Sequence, residues 1–283
     1  MTQVKVKGKE EPIKVHLLKG EAPFHQRQIL DNKTPFVGRE TELSFMTSFF
    51  QNALTSGTPS ILLYQSPPGC GKSRLLAEFE ASMAGQGVCR VFLNCVFSPN
   101  LTMNIQILRS FLQINRGIAS REDLVDHLRR FFSHEEPETL TLAALHLASL
   151  LGLPLKEEES INAIKSNPEE TWNKALCLLA GIFSRLVGQS PILVLLDDVQ
   201  WIDEGSMKVL TSLMKMITGP FCVIAMGRPE KVVLEIIAGF SNAVVRDLNP
   251  LSSEKSLELV KGLLSTLQDV PQSLMEQVTT IAQ

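Results

Sequence analysis

Apolar positions along this chain change period several times, and each change predicts an element. Near the start, Val4 and Val6 alternate with Lys5 and Lys7, Gly8 supplies a turn, and Ile13, Val15 and Leu17 alternate again, which predicts a β-hairpin. Residues 21–34 show no clean period and contain Pro23, so they read as a linker. Leu43, Phe45, Met46, Phe49, Phe50 and Leu54 then recur at helical spacing and form an apolar stripe. Short, almost wholly apolar runs follow over residues 60–65, 89–95, 191–196, 221–226 and 243–248, separated by helical patterns. Runs of that kind are the mark of parallel strands buried on both faces. The expected fold class is α/β: a parallel five-stranded sheet with helices on both faces.

The gap between the second and third of these strands, residues 96–190, is too long for an ordinary crossover connection. Its apolar positions are helical: Leu108, Phe111 and Leu112; Leu124, His127, Leu128 and Phe131; Leu140, Ala144, Leu147 and Leu151. Residues 97–100 and 135–138 read as loops. Past residue 250 a further helical pattern runs through Leu257, Leu259, Val260, Leu263 and Leu264. The expected organisation is a hairpin over residues 1–20, a linker over 21–34, an α/β domain over 35–250 with a helical insertion at 96–190, and the start of a helical lid over 251–283.

With 283 residues, 44% hydrophobic and 20% charged, the chain is long enough for one large core or two unequal ones, and its composition is not that of a disordered protein. A net charge of -3 supplies no general field for nucleic acid or anionic membrane. No stretch approaches the ~18 continuous apolar residues of a membrane helix, and residues 1–11 lack an apolar signal core, so a cytoplasmic location is expected. Cys70, Cys89, Cys95, Cys177 and Cys222 form no C-x-x-C pair and read as reduced, mostly core residues.

The chemistry is concentrated in two segments. Ser66-Pro67-Pro68-Gly69-Cys70-Gly71-Lys72-Ser73 follows the first strand of the domain and matches G-x-x-x-x-G-K-[ST] at every defined position except the first, where Ser66 replaces glycine. A triphosphate needs several backbone N–H groups converging on its oxygens, and Gly69 and Gly71 permit the positive φ and close approach of such a loop. A helix beginning near Lys72 adds its N-terminal dipole. The Lys72 ammonium reaches the outer phosphates, and the Ser73 hydroxyl takes one corner of a Mg²⁺ shell. The second segment, Ile192-Leu193-Val194-Leu195-Leu196-Asp197-Asp198, ends a buried strand in two carboxylates, where Asp197 can hold the same ion. ATP and Mg²⁺ are therefore the expected ligands. Pro67 and Pro68 stiffen the variant loop. Trp201 reads as core, with a wall of the site as the alternative, and Asp203 as the cap of a helix starting near Glu204.

Four elements, Phe36-Val37-Gly38-Arg39-Glu40, the phosphate loop, Asp197-Asp198-Val199-Gln200-Trp201-Ile202-Asp203 and Met226-Gly227-Arg228-Pro229-Glu230, stand in an order that resembles origin-recognition-type AAA and STAND-type P-loop ATPases. The resemblance implies a P-loop NTPase fold. It places Val37, Gly38 and Arg39 near the adenine and gives Asp198 the attacking water and Arg228 the γ-phosphate. Most AAA enzymes carry glutamate where this chain has Asp198, a shorter carboxylate, which points to slow turnover. The segment Val4-Lys5-Val6-Lys7-Gly8-Lys9-Glu10-Glu11-Pro12-Ile13-Lys14-Val15 resembles the last strands of a class III nucleotide cyclase domain. Together the two resemblances imply a piece of a soluble-type adenylyl cyclase: a regulatory ATPase module linked to a cyclase domain and to further helical domains, with no cyclase active site of its own. An origin-recognition-type loader acting with DNA and a non-hydrolysing scaffold are the alternatives.

Overall fold

A computed structural model of the chain describes residues 2–4, 13–15, 35–95, 120–131, 136–150, 153 and 168–264. Two compact units emerge, one of Val37–Lys255 and the other of Met1–Phe36 with Ser256–Ala282. In the smaller unit β1 (Thr2–Val4) and β2 (Ile13–Val15) pair antiparallel with Thr2 opposite Val15 and Val4 opposite Ile13, as the alternation predicts. Val6 and Leu17 lie outside the described residues.

The larger unit is built on β3 (Ser60–Gln65), β4 (Cys89–Asn94), β5 (Ile192–Asp197), β6 (Phe221–Gly227) and β7 (Ala243–Asp247). All pair parallel, in the order β4-β5-β6-β3-β7. Each strand lies within a residue of its predicted span. The apolar runs are continuous because neither face of the central strands meets water: β5 is buried at all six positions and β6 at all seven.

The two faces carry different helices. On one, Leu62, Tyr64, Leu193, Leu195, Ile224 and Met226 are buried, and α1 (Glu40–Ser56) and α2 (Lys72–Ser82) pack with Met46, Phe50, Leu75, Leu76 and Phe79. The alternate positions, Ile61, Leu63, Val194, Leu196, Val223 and Ala225, belong to a second cluster on the other face. Period-2 alternation within a strand sorts the residues in this way. That second cluster also takes in Leu124 and Leu128 of α3 (Arg121–Phe131), Ala144 and Leu147 of α4 (Pro137–Leu150), Leu179 and Phe183 of α5 (Pro168–Gln189), and Leu210 and Leu213 of α6 (Glu204–Met216). The described helices of the 96–190 segment therefore cap one face of the sheet and share its core, each fully buried Leu contributing about 1.5–3 kcal/mol of transfer free energy. Leu108, Phe111, Leu112 and the 97–100 loop lie outside the described residues.

Residues 137 and 138 belong to the first turn of α4 and not to a loop, since proline at the first helical position gives up only an N–H that the helix leaves unpaired there. The remaining helices are α7 (Lys231–Ala238) and α8 (Ser253–Leu263). Among the described residues no helix is long and apolar enough to cross a membrane.

Candidate nucleotide site

Parallel pairing brings the C-terminal ends of β3, β5 and β6 to one edge of the sheet, where the turns leaving a parallel sheet can converge on a ligand. The phosphate loop leaves β3 with the Ser66 N–H donating to the Gly227 carbonyl at 3.1 Å, which prolongs the β3–β6 ladder by one bond. Gly69 and Gly71 have φ of 88° and 85°, values open to glycine and strained for other residues. A Cβ at either would meet nothing within 4 Å, so it is the backbone conformation and not crowding that calls for glycine at these positions. Gly71 caps α2 without a side-chain acceptor. The first N–H groups of that helix have no intrahelical acceptor, which is the general basis of anion binding at a helix N-terminus.

Lys72 is 7% exposed, and its ammonium is held by the loop itself, donating to the Ser66 carbonyl at 2.8 Å, the Ser66 Oγ at 3.1 Å and the Pro67 carbonyl at 2.8 Å. The serine at the first motif position thus supplies a hydroxyl that glycine would lack. Burial pulls the Lys72 pKa below its usual value, Cys70, Asp198 and Asp197 oppose that shift, and Arg228 adds to it. These groups act on one ammonium, so the fold has gathered the phosphate loop, the aspartate pair and the tip of β6 into one electrostatic neighbourhood. Ser73 is exposed in the first turn of α2, and Pro68 and Gly69 are exposed in the loop.

Asp197 closes β5 at 2% exposure. Asp198 follows in the left-handed region, φ 54° and ψ 45°, the one non-glycine residue with positive φ among the described residues. Its N–H donates to the Asp197 Oδ1 at 3.1 Å, and the Gln200 Nε2 donates to its Oδ1 at 3.1 Å. The Gln200 Oε1 accepts from the Arg228 N–H at 3.0 Å. The Arg228 side chain is exposed beyond the end of β6. Gln200 stands in the Asp197–Asp203 segment that carried the resemblance, where the sequence reading gave it no role of its own.

Arg39 is 6% exposed and clamps three pieces of chain: Nη2 donates to the Cys70 carbonyl at 3.0 Å and the Asn249 carbonyl at 2.7 Å, and Nη1 pairs with Glu42 at 2.9 Å. It therefore lies against the phosphate loop, with its guanidinium occupied by carbonyls. Gly38 has φ 71°, and an added Cβ would stand 3.0 Å from Leu251 Cδ2 and from Lys255 Cβ and Cγ. Val37 beside it is buried.

Two sequence expectations are corrected. Trp201 is 41% exposed, because the 3₁₀ turn Val199–Trp201 puts Val199 into the core and turns the indole outward. Cys177 is exposed on α5, while Cys95 and Cys222 are buried and Cys70 and Cys89 are half-buried. The Asp203 cap is present: Oδ1 accepts from the Ser206 N–H at 2.7 Å and Oδ2 from the Ser206 hydroxyl at 2.6 Å.

The donor set suits a nucleotide with Mg²⁺: a loop of backbone N–H groups, one lysine, one hydroxyl and a buried carboxylate. Mg²⁺ is commonly held by one or two carboxylates together with substrate phosphates and water.

Comparison with known proteins gives distant relatives. The chain is 23% identical over 233 residues to an uncharacterized protein of Rhizobium meliloti, covering 81% of this chain and 22% of that protein. It is 22% identical over 254 residues to adenylate cyclase type 10 of Homo sapiens, covering 81% of this chain and 15% of that protein. The chain thus spans less than a quarter of either curated relative. Among solved structures, a DNA replication initiation factor aligns with a TM-score of 0.43 at 13% identity, over 87% of this chain and 57% of that one. Drosophila ORC bound to DNA aligns with a TM-score of 0.49 at 12% identity, over 96% of this chain and 60% of that one. Residues 35–224 match the family described as AAA ATPase domain, well over half of the sequence, and the chain belongs to that family.

Proposed function

We propose that this chain is a cytosolic regulatory module that binds ATP with Mg²⁺, hydrolyses it slowly, and acts on a linked adenylyl cyclase domain. The observation that carries the nucleotide reading is the convergence of the Gly69–Gly71 loop, Lys72 and the Asp197–Asp198 pair at one edge of the sheet. Phosphates seated in the loop would draw the Lys72 ammonium from the Ser66 and Pro67 acceptors onto their own oxygens, exchanging neutral acceptors for charged ones. Ser73 and Asp197 would hold Mg²⁺, which when bound neutralises charge developing on the phosphates. Asp198 would orient the attacking water with its second carboxylate oxygen, since Oδ1 already accepts from Gln200. Arg228 would meet the γ-phosphate through a charge-assisted hydrogen bond. Val37 and Gly38 would border the base, and Arg39 would hold the Cys70 peptide of the loop against the 249 segment.

The cyclase link is supported by the cyclase-like sequence of the first hairpin and by the distant similarity to adenylate cyclase type 10. Nucleotide state would reach the cyclase and further helical domains through the segment that follows Asn249, which Arg39 ties to the phosphate loop.

The test is a titration of the folded chain with a fluorescent ATP analogue and Mg²⁺, beside Lys72→Ala, followed by phosphate release from ATP. Saturable binding weakened at least about tenfold in the variant, as expected for losing a charged hydrogen bond, supports the reading. A folded wild-type chain that binds no analogue refutes it.

A further inference from the structure

One peptide group joins the phosphate loop to the aspartate pair. The carbonyl of Gly227 accepts from the Ser66 N–H at 3.1 Å, and the N–H of the same peptide, that of Arg228, donates to the Gln200 Oε1 at 3.0 Å. Gln200 then uses its Nε2 to donate to the Asp198 Oδ1 at 3.1 Å. We infer that Gln200 is a positioning residue, which sets the Asp198 carboxylate relative to the phosphate loop by spanning from the Gly227–Arg228 peptide to Asp198. The inference rests on the hydrolysis reading above.

Three further features fit this role. An amide is the one uncharged side-chain group that offers a donor and an acceptor on adjacent atoms of a planar end, so it can satisfy a carboxylate and a backbone N–H together. Gly227 has room for the bridge only as glycine: a Cβ there would stand 2.6 Å from Val199 Cγ1 and 3.2 Å from the Gln200 Oε1. Gly227 does not have positive φ, so its need is for space and not for backbone freedom. Asp198 sits in the left-handed region, which sets its carboxylate off the line of β5 and requires something other than the strand ladder to orient it.

Strand order makes the bridge possible. β6 lies between β3 and β5, so its last peptide faces the phosphate loop on one side and the residues after Asp197 on the other. A shift of the loop against β6 is thereby transmitted to the carboxylate that would orient water.

The experiment compares ATP hydrolysis and ATP-analogue binding in the full chain for wild type, Gln200→Ala, Gln200→Glu, Asp198→Asn and the double variant Asp198→Asn/Gln200→Ala. Gln200→Ala is expected to lower kcat about tenfold or more while KM and analogue affinity stay within about twofold, the signature of a contact used in the transition state. Gln200→Glu keeps an acceptor for the Arg228 N–H but sets a like charge against Asp198, and is expected to lose as much. The double variant should fall no further than Asp198→Asn, because a group acting through Asp198 has nothing left to position. Wild-type kcat in Gln200→Ala or in Gln200→Glu, a loss in the double variant equal to the product of the single losses, or a change confined to KM overturns the proposal while leaving the hydrolysis reading intact. A wild-type chain that binds the analogue and releases no phosphate overturns both, as does one that binds nothing.

Discussion

Asp198 offers a measurement that separates backbone geometry from side-chain chemistry. At φ 54° and ψ 45° it sits near the centre of the left-handed region, where a Cβ crowds the following carbonyl at about 1–2 kcal/mol for an L-residue. Asp198→Ala and Asp198→Gly both delete the carboxylate and its bond from Gln200, so that loss cancels between them. Alanine keeps the Cβ and pays the conformational cost in full. Glycine pays none of it, but its unfolded chain is freer by about 0.5–1 kcal/mol. The difference leaves Asp198→Gly more stable than Asp198→Ala by about 0.75 kcal/mol, the centre of a span of roughly 0–1.5 kcal/mol. For a unit of this size that corresponds to about 1–4 °C in melting temperature. Urea unfolding of the nucleotide-free chains reads it directly, and phosphate release checks that both variants are inactive. If Asp198→Ala proves as stable as Asp198→Gly, the residue is not held in the left-handed region, and the account of why its carboxylate needs Gln200 fails.

Other perturbations have equally definite outcomes. Burial depresses the Lys72 pKa from 10.5, so the unfolded chain holds that proton more tightly than the fold does, and the Lys72 contribution to stability rises with pH between the folded value and about 10.5. Lys72→Met should abolish that rise in urea titrations run from pH 8 to 10.5, and parallel wild-type and variant curves would contradict the assignment. Arg39→Ala strips the Cys70 and Asn249 carbonyls of their shared donor and should cost about 2–3 kcal/mol by urea unfolding. Arg39→Lys should not restore it, because an ammonium lacks the planar fork. Gly219→Ala places a Cβ 2.2 Å from Val187 Cγ1 at φ 133° and should destabilise by about 1–3 kcal/mol, with Val187→Ala in the same chain recovering part of the loss. Burial with the nearby Asp197, Asp203 and Asp198 charges pushes the Cys95 thiol up to about 12, so iodoacetamide at pH 8 should label exposed Cys177 well before Cys95, read by peptide mass spectrometry.

Much of this molecule was legible in its sequence, because period and local chemistry report on local environment. The five apolar runs became five strands within a residue of their predicted limits, since a strand buried on both faces must be apolar throughout. The positive φ of Gly69 and Gly71 was legible because few other residues tolerate that backbone, and Asp203 announced a helix cap. Where the apolar period was silent, the outcome was set by a local turn or by a partner far along the chain. Trp201 follows a buried strand, yet a single 3₁₀ turn rotates it into solvent. Arg39 reaches an acceptor 210 residues away at Asn249, and the Arg228 N–H meets Gln200 across 28 residues, at the ends of the neighbouring strands β5 and β6. The strand order decided these meetings. Hydrophobic alternation says which face of a strand is buried and is silent on which strand lies beside it. Only tertiary packing placed β6 between β3 and β5, and with it the Gly227–Arg228 peptide that bonds both the phosphate loop and Gln200.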